Sequence, residues 1–128
     1  MKNLKNILMV SDNDDTLHTA LLLGSRGHSV TAVRRGGIGI FLTTEGGEGR
    51  APLDLVIADQ NLPDRNGLEI ASMISASRLN PPPSWLISEM PTEQFKAEAK
   101  QAGVTKIIPK DELVSALVKA GLLHGQSV

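Results

Sequence analysis

Apolar residues gather in five short runs along the chain: Ile7-Leu8-Met9-Val10, Val30-Thr31-Ala32-Val33, Leu53 to Ala58, Trp85-Leu86-Ile87 and Ile107-Ile108. Each run is partly β-branched and bounded by turn-forming or charged residues, the pattern of a strand buried in a parallel sheet. Between the runs the spacing changes to that of amphipathic helices. Leu17, Leu21 and Gly24 share one predicted helix face, Leu68, Ala71 and Ile74 another, Phe95, Ala99 and Ala102 a third, and Leu113, Leu117 and Ala120 the last. The remaining segment, Gly36-Gly37-Ile38-Gly39-Ile40-Phe41-Leu42-Thr43-Thr44, carries three glycines in its first four residues and is the poorest helix former of the set. Strand and helix alternate five times, which predicts an α/β fold: a doubly wound, five-stranded parallel sheet with helices on both faces.

Punctuation agrees with this scheme. Asp12, Asp14 and Asp15 are candidate caps for the first helix, and Gly27 is its stop. Pro81-Pro82-Pro83 forbids helix and forces an extended entry into the fourth strand. Gly46-Gly47-Glu48-Gly49 reads as a flexible loop. A chain of 128 residues forms one domain, expected over residues 1–120 with 121–128 as a C-terminal tail. Aromatics make up only 2% against 41% hydrophobic residues, so the core is aliphatic, with Trp85 inside it.

The formal net charge of −1 gives no reason to expect nucleic acid or an anionic membrane as partner. The absence of cysteine excludes disulfides, thiolate metal sites and thiol catalysis. No signal sequence or membrane-spanning run is present, so a soluble cytoplasmic domain is expected. His18, His28 and His124 do not fall at ligand spacing, and Arg34-Arg35 reads as a solvated strand exit. Gly36-Gly37-Ile38-Gly39 lacks the third glycine of a dinucleotide fingerprint and has no Gly-Lys-Ser/Thr after it.

In a doubly wound sheet the functional groups collect beyond the C-terminal strand ends. Those ends read Ser11-Asp12, Val33-Arg34, Asp59, Ser88 and Lys110. Carboxylates with open positions suit Mg²⁺, which keeps most of its waters. A lysine and a hydroxyl facing such a cation make an anion site suited to a phosphoryl group. A carboxylate can itself take that group as an acyl phosphate. Spacing alone therefore leads to a Mg²⁺-assisted phosphoryl site.

Asp59 with Leu62-Pro63-Asp64-Arg65-Asn66-Gly67-Leu68-Glu69 resembles the phosphoacceptor segment of response-regulator receiver domains, the CheY-like domains of two-component signalling. Ala99-Lys100-Gln101-Ala102-Gly103-Val104-Thr105-Lys106-Ile107-Ile108-Pro109-Lys110 is similar to the run that leads to that family's active-site lysine. The resemblance covers nearly the whole chain. It implies a flavodoxin-like sheet of strand order 2-1-3-4-5. It implies that Asp59 accepts a phosphoryl group from a histidine kinase or phosphotransfer protein. Asp12 and Asp59 would bind Mg²⁺ through their side chains and Asn61 through its backbone carbonyl. Ser88 would hydrogen-bond the phosphoryl oxygens, and Lys110 would pair with their charge. Output would pass to a downstream protein target over the family's usual face, here carrying Glu93, Lys96, Lys100 and Lys106. Enzymatic activity would amount at most to self-phosphorylation and autodephosphorylation.

The chain departs from the family pattern, as a divergent member would. Ser11-Asp12 stands where two adjacent acids are usual, so Mg²⁺ binding is expected to be weak. Glu89 replaces a small residue after Ser88, and its charge opposes a phosphoryl group. Ile107 stands where an aromatic switch residue is common. The usual Lys-Pro pair is absent, and in Pro109-Lys110-Asp111 a cis bond after Lys110 would cost about 3 kcal/mol, so a trans bond is expected, with Asp111 a candidate cap for the last helix. These departures leave a second reading, a phosphorylation-independent interaction module. Asp12-Asn13-Asp14-Asp15-Thr16-Leu17 also matches the Asp-x-Asp-x-Thr-Leu signature of haloacid-dehalogenase-like phosphatases. That resemblance implies Asp12 as nucleophile and Asp14 as acid/base, with Ser88 and Lys110 in support. It leaves the Asp59 segment without a role.

Overall fold

The computed structural model describes residues 4–39, 53–77, 81–89 and 91–123. The predicted Gly46–Gly49 loop, the second half of the glycine-rich segment, His124 and the last residues of the tail lie outside them. Five strands form one sheet: β1 (Asn6–Val10), β2 (Ser29–Val33), β3 (Leu55–Asp59), β4 (Ser84–Ser88) and β5 (Lys106–Pro109). All four pairings are parallel, and the order is β2-β1-β3-β4-β5. The helices are α1 (Asp14–Ser25), α2 (Gly67–Ser77), α3 (Glu93–Gln101) and α4 (Leu113–Lys119), with a 3₁₀ turn over Lys110–Glu112. Residues 36–39 are also helical.

The period-2 alternation of the strands divides the core into two layers. Ile7, Met9, Leu55, Ile57, Trp85, Ile87 and Ile108 face one side, where α1 and α4 cover them with Ala20, Leu23, Leu113 and Leu117. Leu8, Val10, Val56, Ala58 and Leu86 face the other, under Ile70, Ile74, Phe95 and Ala99 of α2 and α3. The doubly wound architecture expected from the sequence is the one observed. Each fully buried Leu or Ile in these layers is worth about 1.5–3 kcal/mol of transfer free energy.

The differences in detail have simple causes. β2 is an edge strand and largely exposed, not buried, because only β1 pairs with it. Helix α1 turns Thr16, Thr19, Ala20 and Leu23 inward and leaves Leu21 70% exposed. The face expected from Leu17, Leu21 and Gly24 is therefore rotated: the inward stripe runs through two threonines that hydropathy does not flag. Asn13, not one of the neighbouring aspartates, caps α1 by accepting from the Thr16 backbone N–H at 3.0 Å. Gly27 ends the helix region with φ +97°, a conformation that favours glycine. Asp111 lies within the 3₁₀ turn, and no side-chain cap closes that turn or α4. Beyond residue 120, Leu122 and Leu123 are buried, and the Leu122 carbonyl accepts from His28 Nε2 at 2.9 Å. His28 Nδ1 in turn accepts from the Lys5 backbone N–H at 3.0 Å, so this buried ring ties the two ends of the domain together.

Candidate functional site

Parallel pairing brings the C-terminal ends of β1, β3, β4 and β5 to one edge, and Asp12, Asp59, Asn61, Ser88, Glu89 and Lys110 line a single cleft of about 490 Å³ there. Asp59 is the last residue of β3 and is half-buried. The buried Ser11, just past β1, donates its hydroxyl proton to Asp59 Oδ2 at 2.5 Å and accepts the Asn13 backbone N–H at 3.1 Å. Burial raises the Asp59 carboxyl above the ordinary aspartate value. The Ser11 hydroxyl and the Lys110 charge oppose that rise, while the charges of Asp12 and Glu89 add to it.

Ser88 is the last residue of β4 and is buried. Its hydroxyl donates to Gln60 Oε1 at 2.7 Å. Gln60 had no role in the sequence reading; its only signal there is adjacency to Asp59. Lys110 opens the 3₁₀ turn after β5, and no cis peptide bond occurs among the described residues. Glu89 is exposed at the cleft wall. Ile107 is partly buried and packs against the α2–α3 layer of the core.

The loop from β3 into α2 is built by local rules. Gly67 N–H donates to the Gln60 carbonyl at 2.7 Å and Leu62 N–H to the Arg65 carbonyl at 3.0 Å, closing a bridge that pairs Asn61 with Asn66. Neither bond uses the Asn61 carbonyl. Asn66 Oδ1 accepts from Leu68 N–H at 2.8 Å, and Glu69 Oε1 accepts from Asn66 N–H at 3.2 Å, a capping box that starts α2. A Cβ at Gly67 would overlap the Asp59 carbonyl oxygen, so only glycine lets the loop return this close to the strand end. Asp64 reaches across to the residues after β2, its Oδ1 accepting from Gly36 N–H at 2.8 Å and its Oδ2 from Gly37 N–H at 2.9 Å. Those two backbone bonds hold the Asp64 carboxyl below its ordinary value.

Asp12 is exposed at the cleft mouth and already has a partner. Arg34 Nη1 lies 3.3 Å from Asp12 Oδ1, and Arg34 Nη2 lies 2.8 Å from Asp14 Oδ1. The expected solvated strand exit is thus a charge-paired residue that the sequence reading missed. Asp14 belongs to this pair and does not line the cleft, which separates it from the acid/base role that the phosphatase signature implied. Three carboxylates, those of Asp12, Asp59 and Glu89, line the cleft together with Asn61, so oxygen donors dominate it. That chemistry fits a hard divalent cation that keeps several waters. No three His, Cys, Asp or Glu side chains cluster at metal-ligating spacing among the described residues.

On the α3–β5 side, Lys96, Lys100 and Lys106 line a second groove of about 610 Å³. Glu93 pairs with Lys96 at 3.2 Å, and the Lys106 ammonium sits 5.0 Å from the centre of the Trp85 ring. No described helix is long and apolar enough to cross a membrane.

Comparison with known proteins agrees with this geometry. A family model for the response regulator receiver domain matches residues 7–121. The cell cycle transcriptional regulator CtrA of Caulobacter vibrioides is 30% identical over 131 residues, an alignment that covers 95% of this chain and 54% of CtrA. The chain therefore spans about half the length of that relative. Among solved structures, the signal receiver domain of NarL from Mycobacterium tuberculosis superposes with a TM-score of 0.75 at 20% identity, covering 94% of each chain. The CheX-CheY-BeF3-Mg²⁺ complex from Borrelia burgdorferi matches with a TM-score of 0.73 at 18% identity, covering 91% of this chain and 89% of that one. At such identities the structural matches establish the fold.

Proposed function

Because this chain belongs to the response regulator receiver domain family, we propose that Asp59 accepts a phosphoryl group from the phosphohistidine of a kinase or phosphotransfer protein. The observation that carries this reading is the convergence of a half-buried carboxylate, a lysine and a hydroxyl on one cleft. Ser11 holds Oδ2 of Asp59, so Oδ1 is the oxygen that attacks phosphorus. The phosphorus–nitrogen bond of the donor breaks, and its imidazole leaves with the bonding electron pair. Lys110 offsets the charge that the phosphoryl oxygens bring into the cleft. Ser88 exchanges its Gln60 acceptor for a phosphoryl oxygen.

Asp12, Asp59 and the Asn61 carbonyl are the groups that would hold Mg²⁺. When bound, the cation supplies positive charge against the phosphoryl oxygens. Output passes to a downstream protein, for which the lysine-lined groove beside α3 and β5 is the candidate surface. The similar CheX-CheY complex supports a protein partner.

A second reading rests on a specific observation: the reactive groups are already paired, Asp59 with Ser11, Asp12 with Arg34 and Ser88 with Gln60. In that reading the domain binds its partner without phosphorylation. Incubation with Mg²⁺ and acetyl phosphate, followed by intact mass, separates the two. A phosphoryl mass increase that is lost in Asp59→Ala supports phosphorylation. No mass increase, together with no Trp85 fluorescence response to beryllofluoride, favours the phosphorylation-independent module.

A further inference from the structure

We infer that Arg34 is a built-in competitor for the cation site: its guanidinium holds Asp12 and must release Oδ1 before a divalent cation can bind there. This rests on reading the Asp59 cleft as a cation-assisted phosphoryl site.

The sheet itself delivers Arg34 to this position. β2 pairs with β1 so that Val33 lies opposite Val10, and the Ser11 N–H donates to the Val33 carbonyl at 2.9 Å. The residue after Val33 therefore emerges beside Ser11-Asp12. On its other side the chain is held by the two Asp64 bonds to Gly36 and Gly37. Anchored before and after, Arg34 presents its fork to fixed targets. Nη1 lies 3.3 Å from Asp12 Oδ1 and 3.4 Å from the Asp12 carbonyl, and Nη2 lies 2.8 Å from Asp14 Oδ1.

The chemistry of the cleft makes this contact count. Ser11 stands where a further carboxylate would have joined the site, and its hydroxyl occupies Asp59 Oδ2. The attraction for a cation then depends on Asp12 more than in a site with three acids, and Arg34 neutralises Asp12. Asp14 gives the guanidinium somewhere to stay once Asp12 is released, so the exchange needs a side-chain rotation and no backbone movement. The cation and Arg34 thus bind Asp12 in alternation, and a local salt bridge sets the concentration at which the cleft becomes competent.

The test is a calorimetric titration of the intact protein with Mn²⁺ and Mg²⁺, comparing wild type, Arg34→Ala and Arg35→Ala. Arg34 is exposed, so its removal leaves folding intact, which thermal melts verify. An exposed ion pair of ordinary strength converts to about a two- to fivefold gain in cation affinity for R34A. R35A removes the same charge from the adjacent exposed position and is expected to leave affinity unchanged. Equal affinity in wild type and R34A overturns the inference, as does an R35A gain that matches R34A, since that is a general field effect. If neither wild type nor R34A binds either cation at millimolar concentration, the cation-site reading itself falls, and the inference with it.

Discussion

Asp59 and Asp64 belong to the same strand-to-helix connection, yet their surroundings push their carboxyls in opposite directions. Asp59 ends a buried strand. Loss of water dominates there, and one hydroxyl and one ammonium only partly offset it. Asp64 lies out in the loop, where two backbone N–H groups point straight at it from residues 36 and 37. The first carboxylate is kept under tension at a cleft, the state in which a group reacts or binds. The second is satisfied and serves as a clamp. The difference comes from what the backbone offers: β3 brings apolar walls to Asp59, while the start of a helical turn brings unpaired donors to Asp64.

Gly67 keeps the two environments apart, and changing it has the largest expected effect. A methyl group at this position meets the Asp59 carbonyl oxygen and crowds Leu86 at 3.0 Å. The loop cannot return to the strand without moving, so Gly67→Ala is expected to destabilise the domain by about 3 kcal/mol. Urea denaturation measures it. A variant as stable as wild type would mean that the loop has slack, and that the setting of Asp59 does not depend on this close approach.

Asp64→Ala tests the clamp alone. Two backbone donors at residues 36 and 37 lose their acceptor and turn to water, so the melting temperature falls by a few degrees and amide exchange at Gly36 and Gly37 accelerates. The beryllofluoride response at Asp59 persists, because Asp64 does not line the cleft. Unchanged exchange at both glycines contradicts the clamp.

Much of this architecture was legible in the sequence. Apolar runs marked all five strands: burial on two faces gives β1, β3 and β4 an unbroken hydrophobic signature, and the exposed edge strand β2 was marked by its β-branched residues instead. The strand-end rule alone brings Asp12, Asp59, Ser88 and Lys110 to one edge, and the fold lines one cleft with them. What escaped was pairing across the chain. Arg34 with Asp12, Ser88 with Gln60 and Asp64 with Gly36 are contacts between residues far apart in sequence, and no local period encodes them. Helix α1 was rotated in the reading because Leu17 and Leu21 outweighed Thr16 and Thr19 in hydropathy, although the threonines are the buried pair. Gly67 was read as part of a motif. Its physical reason, the approach of the loop to a carbonyl, required the fold.

The smallest expected effect is the most direct measure of the contrast between the two carboxylates. A carboxyl raised in the folded state binds its proton more tightly there than in the unfolded chain. In the window between the ordinary aspartate value of about 3.9 and the raised Asp59 value, the folded state holds more protons, so stability falls as pH rises. At neutral pH the ionised Asp59 therefore weakens the fold, and Asp59→Asn, which accepts the Ser11 hydroxyl without carrying charge, is more stable than wild type. That advantage shrinks as acid protonates Asp59 in the wild type and levels off below the ordinary aspartate range. Asp64 acts with the opposite sign in a different window. Its lowered carboxyl adds stability above the ordinary value and loses it as pH falls through the depressed one. Denaturation of wild type, Asp59→Asn and Asp64→Asn across the acid range separates the two contributions. Asp59→Asn departs from wild type toward neutral pH, and Asp64→Asn loses its deficit only at the acid end. If Asp59→Asn is no more stable than wild type at neutral pH, Ser11 and Lys110 outweigh burial, and the cleft holds a relaxed carboxylate instead of a poised one.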